Sequence, residues 1–164
     1  QLTLTGIFLA LCITIPMLFH AMGLGKAFLP MFLPILLDAF LIEFRTSVLV
    51  GLLGPILSAI TTGMPPMFQT GTIMIEEGIT AIILIGISYH KLRIPHFLSL
   101  VLGILGMRLS RIIMLQLILP LFGLPPKALT IADLTIALPG IIMLLVVIPI
   151  ILVIFNKYEI IEKK

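Results

Sequence analysis

Long apolar runs, each longer than a soluble domain needs, alternate with short polar breaks along this chain. Six stretches separate: about 2–19, 30–44, 46–60, 72–89, 97–119 and 134–155. Runs of this length and continuity are read as membrane-crossing helices, which take roughly 20 apolar residues each. The second and third stretches are shorter, so they are expected to tilt little or to lie partly inside the protein. Gly63 and Gly123 suit the left-handed position that closes a helix, and the Pro-Pro pairs after them (Pro65-Pro66, Pro125-Pro126) forbid its continuation. The expected fold is all-α: one membrane domain over residues 1–164, a bundle of six transmembrane helices.

Composition supports that picture. Of the 164 residues 60% are hydrophobic and 10% charged, with a mean hydropathy of +1.32. An ordinary soluble domain carries about a quarter charged residues, so neither a water-soluble globule nor a disordered chain fits. The net charge of +3 is spread between spans and builds no phosphate-tracking patch, which sets nucleic acid aside. The single cysteine, Cys12, excludes an intramolecular disulfide and a thiolate metal cluster. The first stretch lacks a basic leading segment and a small-residue cleavage site, so it is read as a retained helix and not a signal peptide. Placing both termini in the cytoplasm puts Arg45, Lys91, Arg93, Lys157, Lys163 and Lys164 inside and only Lys26 and Lys127 outside, a positive-inside bias.

Charges at membrane depth are the candidate chemistry, because an ionisable group there costs about 2.5–3.5 kcal/mol on insertion scales. Glu76 and Glu77 fall on the fourth span, Arg108 and Arg111 on the fifth. At about 1.5 Å per residue, Glu77 lies roughly 8 Å below the outer end of its helix, and Arg111 and Arg108 roughly 12 and 16 Å below theirs. The arginines are three apart and share a face, whereas the two glutamates diverge by about 100°, so at most one of them meets the arginines squarely. Two readings stand open: a Glu–Arg lock between helices, or a guanidinium left to grip a ligand. Two arginines facing one carboxylate favour a ligand. Asp38, mid-way along the second span, is a third buried candidate, either for the ligand or for a bond to a neighbouring helix. The outer loop 62–69 is short of charge and stiff, and it supplies Met64, Phe68 and Gln69 as further contacts, in the apolar-walled style of small-molecule sites.

Enzymatic chemistry finds no support. Gly23-Leu24-Gly25-Lys26-Ala27 lacks both the first glycine and the hydroxyl residue of a P-loop. Glu76-Glu77 is not followed by the arginine of the CAAX-type intramembrane proteases, Ala81 standing in its place. His20 on one side and His90 and His96 on the other cannot gather round a metal or serve a common base. No cofactor and no metal are expected.

The segments Phe28-Leu29-Pro30-Met31-Phe32-Leu33-Pro34-Ile35-Leu36-Leu37, Gly51-Leu52-Leu53-Gly54-Pro55-Ile56-Leu57-Ser58 and Thr61-Thr62-Gly63-Met64-Pro65-Pro66 resemble the S components of energy-coupling-factor (ECF) vitamin transporters. So does Glu77, nine residues before Gly86 and followed by Tyr89. The resemblance implies a six-helix subunit of a prokaryotic cell membrane. Such a subunit captures a vitamin or similar micronutrient outside and delivers it to a transmembrane coupling protein driven by two cytoplasmic ATPases. It further implies that Gly6 and Ala10 dock the partner, that the Gly63–Phe68 loop is a lid, and that Glu77 with Arg108 or Arg111 lines the pocket. Phe32 and Asp38 depart from the residues expected of relatives, and an aromatic clamp of the thiamin-binding kind is not expected where tryptophan is lacking. The paired arginines fit an anionic ligand, of pantothenate, biotin-like or folate-like type. The competing expectation is a self-sufficient ion- or proton-coupled secondary transporter.

Overall fold

In a computed structural model the described residues are 2–24, 28–66, 70–123 and 131–157, and all the regular structure among them is helical. Six helical elements follow in order: α1 (Leu2–Ala21), α2 (Phe32–Leu41), α3 (Phe44–Thr62), α4 (Thr72–Ile85), α5 (His96–Ile113) and α6 (Ile131–Lys157). A π-helical segment, Gly86–Lys91, prolongs α4, and another, Met114–Ile118, prolongs α5 before a last turn at Leu119–Leu121. With these extensions, five elements are long and apolar enough to cross a bilayer. The sixth, α2, has ten residues, a rise of about 15 Å against a hydrocarbon core of about 30 Å.

The short helix is the hub. It packs against α1, α3, α4 and α6, with a lesser contact to α5. Phe32, Pro34, Ile35, Leu36, Leu37, Asp38, Ala39 and Phe40 are buried, which explains how a segment too short to span can be apolar on almost every side. Its far end is tied to α4: His90 Nε2 lies 3.0 Å from the Ala39 carbonyl, and Tyr89 meets the Phe40 ring edge-on at 5.1 Å between centroids. The third stretch, expected to be short, forms a 19-residue helix. Its polar end is satisfied from within, because the Thr61 and Thr62 hydroxyls donate to the Leu57 and Ser58 carbonyls at 2.8 and 2.7 Å.

Small residues set how closely the helices approach. A Cβ on Gly54 would fall 3.0 Å from Cys12 Sγ, and one on Gly51 would fall 2.6 Å from Ile82 Cδ1. On the outside, large apolar side chains such as Leu2, Leu18, Ile60, Leu109 and Ile142 stand exposed, a surface that only lipid covers comfortably. Gly23, Gly63 and Gly123 all have positive φ (74°, 73° and 76°) and lie at one end of the bundle. There Gly63 N–H closes α3 on the Ala59 carbonyl at 2.9 Å, the helix-ending role expected of it.

Candidate functional site

The site is built on the α4–α5 contact, the most extensive between any two elements. Gly103 and Gly106 face α4: a Cβ would lie 2.8 Å from Ile85 Cγ1 at the first and 1.9 Å from Leu84 Cδ1 at the second. Glycine at both positions lets the two backbones approach. Side chains one and two turns further along then meet across the seam.

Glu77 is the centre of that meeting. It is fully buried, its Oε1 accepts from Arg108 Nη1 at 3.2 Å, and its Oε2 accepts from Arg111 Nη1 at 3.1 Å. The side chains of Arg108 and Arg111 are 16% and 32% exposed, so the pair is graded from interior to surface. Arg108 Nε and Nη2 are buried and have no partner among the described residues.

Glu76 turns another way, as the 100° offset requires. Its Oε1 accepts from Thr80 Oγ1 at 3.2 Å, while Oε2 is buried without a partner among the described residues. Apolar layers enclose the charges. Ala81, Ile82, Ile104 and Met107 belong to the main core on one side. On the other side Ile73, Leu115 and Leu119 form a separate buried cluster with Met114 against it. Ile73 is one turn from Glu77 and Leu115 one turn from Arg111, so this cluster roofs the ion pairs towards the Gly63 end. The roof coincides with the Met114–Ile118 π segment, the kind of widened turn that recurs at functional positions.

The structure thus brings Glu77, Arg108 and Arg111 together, with Glu76 beside them. Asp38 does not share their bonds: Ser47 Oγ on α3 donates to its Oδ2, and its Oδ1 is buried without a partner among the described residues. Met64 is also elsewhere. Its carbonyl accepts from Ser58 Oγ at 2.9 Å. With Ile13, Pro16, Met17, His20, Thr61 and Thr62 it lines a cleft of about 360 Å³ between the ends of α1 and α3. Phe68 and Gln69 lie outside the described residues, as does part of the Gly63–Phe68 loop.

Gly6 and Ala10 are exposed, and nothing stands within 4 Å of a Cβ added to Gly6. The buried face of α1 is Thr5, Phe8, Cys12 and Pro16, so the small pair is on the side turned from the bundle. Gly51 and Gly103, and the residues four further on, Pro55 and Met107, are buried between helices and serve internal packing. Sequence reasoning did not find the π segments, the Thr80–Glu76 bond or the Ile73–Leu115–Leu119 roof. The i, i+4 spacing of Glu76 and Thr80 was the one readable sign of these.

Comparison with protein families matches residues 1–152 to the ECF transporter substrate-specific component. Comparison with curated proteins and with solved structures gives no match.

Proposed function

The chain belongs to the family of ECF transporter substrate-specific components, a membrane transport protein; from that premise we propose that it captures an anionic, vitamin-like micronutrient and hands it to an ATP-driven coupling module. The observation that carries the ligand reading is the unsatisfied edge of Arg108, a buried guanidinium that Glu77 engages through one nitrogen only. The bonds to Glu77 leave that edge unmet among the described residues. Glu77, Arg108, Arg111 and Glu76 form the polar floor of this site; Phe68 and Gln69 stay candidate contacts from the sequence alone, and Met64 belongs to the cleft between α1 and α3. Asp38 fastens α2 to α3 through Ser47 and stays out of the binding step.

In this reading both termini are cytoplasmic, α2 lies within the hydrocarbon enclosed by its neighbours, and the charged cluster sits in the outer half of a prokaryotic cell membrane. Gly6 and Ala10 present a flat, small-residue face to a helix of the coupling protein, whose two cytoplasmic ATPases supply the energy. The chain itself performs no chemistry and needs no cofactor. The exposed, unfilled face at Gly6 supports such a partner, and a self-sufficient ion-coupled carrier has no need of it.

Protein purified in detergent should release a small molecule identifiable by mass spectrometry. In proteoliposomes the same molecule should accumulate only when the coupling protein, both ATPases and ATP are present. Accumulation by the purified chain alone, driven by ATP or by a proton or sodium gradient, would overturn the proposal.

A further inference from the structure

A guanidinium has two bidentate edges, and Arg108 has committed neither of them fully. Nη1 donates to Glu77 Oε1 at 3.2 Å. The N–H groups of Nε and Nη2 lie parallel on the opposite side, the geometry that meets both oxygens of a carboxylate or two oxygens of a phosphate at once. Both atoms are buried and without a partner among the described residues. A buried donor left unmade is a costly arrangement in hydrocarbon, and here two adjacent donors on one charged group are left so.

Arg111 shares the same carboxylate. It takes one acceptor site on Glu77 Oε2 at 3.1 Å, while Arg108 makes a single bond to Oε1. Net charge does not explain the open edge. Glu76, Glu77, Arg108 and Arg111 together sum to zero, so recruitment of an anion here depends on the shape of the donor pair.

Resting on the capture function proposed above, we propose that the Nε/Nη2 edge of Arg108 is the anchoring subsite of the ligand and takes a two-oxygen acidic terminus, carboxylate or phosphate, side-on. Glu77 and Arg111 are positioning residues. The first orients Arg108 through Nη1, and the second holds the other oxygen of that carboxylate in place. The class of ligand this selects is a small molecule whose acid group is terminal and unesterified.

The test uses full-length protein in detergent and matched probe pairs that differ only in the acid group. Pantothenate with panthenol, biotin with biotinamide and nicotinate with nicotinamide form the carboxylate arm; riboflavin 5′-phosphate with riboflavin forms the phosphate arm. Binding is read by ligand-induced thermal stabilisation and by equilibrium titration. An acidic member of at least one pair should bind about ten-fold or more tightly than its neutral counterpart. Arg108→Lys keeps the charge and removes the fork, so it should erase that preference, whereas Arg111→Lys should weaken binding by no more than about three-fold. The wild-type comparison stands even if a variant fails to fold. Any compound released from the purified protein should also carry a free carboxylate or phosphate. A preference that survives Arg108→Lys overturns the inference alone; equal binding of acid and neutral members, or release of a compound without an acid group, also overturns the anionic character of the ligand, while capture of a vitamin-like micronutrient still stands. A protein that releases nothing and binds neither member of any pair overturns both.

Discussion

Gly103 on α5 stands so close to Ile85 on α4 that a Cβ built on the glycine would lie 2.8 Å from Ile85 Cγ1. Ile85 is fully buried, so it has nowhere to retreat. Gly103→Ala gains helix propensity of up to about 1 kcal/mol and incurs overpacking of about 1–3 kcal/mol. A net destabilisation on the order of 1 kcal/mol is expected, read as a lowered thermal midpoint in detergent. The shift of α5 should also reduce ligand binding, because the same seam sets the Glu77–Arg108 distance. Gly6→Ala is the control: with open space around it, the midpoint should stay or rise.

Glu77→Gln removes the charge that both arginines share. Two guanidinium groups would then face an uncharged amide inside the bundle. Breaking a buried pair costs about 3–5 kcal/mol, and the partial exposure of Arg108 and Arg111 (16% and 32%) places this one at the lower end. Chemical denaturation in detergent should show the loss. Adding Arg111→Gln in the same chain should restore part of it, because the remaining cation then has no like charge beside it; no recovery would mean that Arg111 adds nothing to the pair.

Ser47→Ala leaves the buried Asp38 carboxyl without its one described donor. The expected cost is about 1–3 kcal/mol, the penalty of an orphaned buried polar group. Asp38→Leu combined with Ser47→Ala should recover most of that stability, since an apolar pair of similar shape asks for no bond. Ligand affinity in the double variant should match wild type, and a ten-fold loss would return Asp38 to the binding site.

Gly6→Leu should leave the thermal midpoint and ligand binding of the isolated subunit unchanged, since no atom stands within 4 Å of the added Cβ. Co-purification with the coupling protein should fall sharply, and vesicle uptake with it. Unimpaired assembly would remove α1 as the docking face.

Much of this architecture could be read in the residues before any coordinates. Apolar run length located every helix, and Gly63 and Gly123 ended theirs where the Pro-Pro pairs demanded. The three-residue spacing of Arg108 and Arg111 put both on one acid, and the offset of Glu76 from Glu77 showed that only one glutamate could serve. Where the reading fell short, the cause was pairing between distant segments. Thr61 and Thr62 look like a loop by polarity, yet their hydroxyls find carbonyls within α3 and lengthen it. By sequence Asp38 stands open between the ligand and a bond to a neighbouring helix; the bond is made with Ser47, a partner that nothing local announces. Met64 was placed by its loop, whereas its carbonyl folds back on Ser58 and it lines a cleft with residues of α1. The widened turn after Arg111 has no sequence signature of its own, and it coincides with the cluster around Ile73.

The stubby central helix also dictates the order in which this protein can be made. A nascent segment rising about 15 Å cannot rest alone in lipid, so α2 has to wait at the insertion machinery, or at its rim, until α3 emerges and can shield it beside α1. Its remaining sides stay uncovered until α4 and α6 arrive, the last of them encoded from Ile131 onward. The packing around α2 therefore closes only once α6 has joined the bundle.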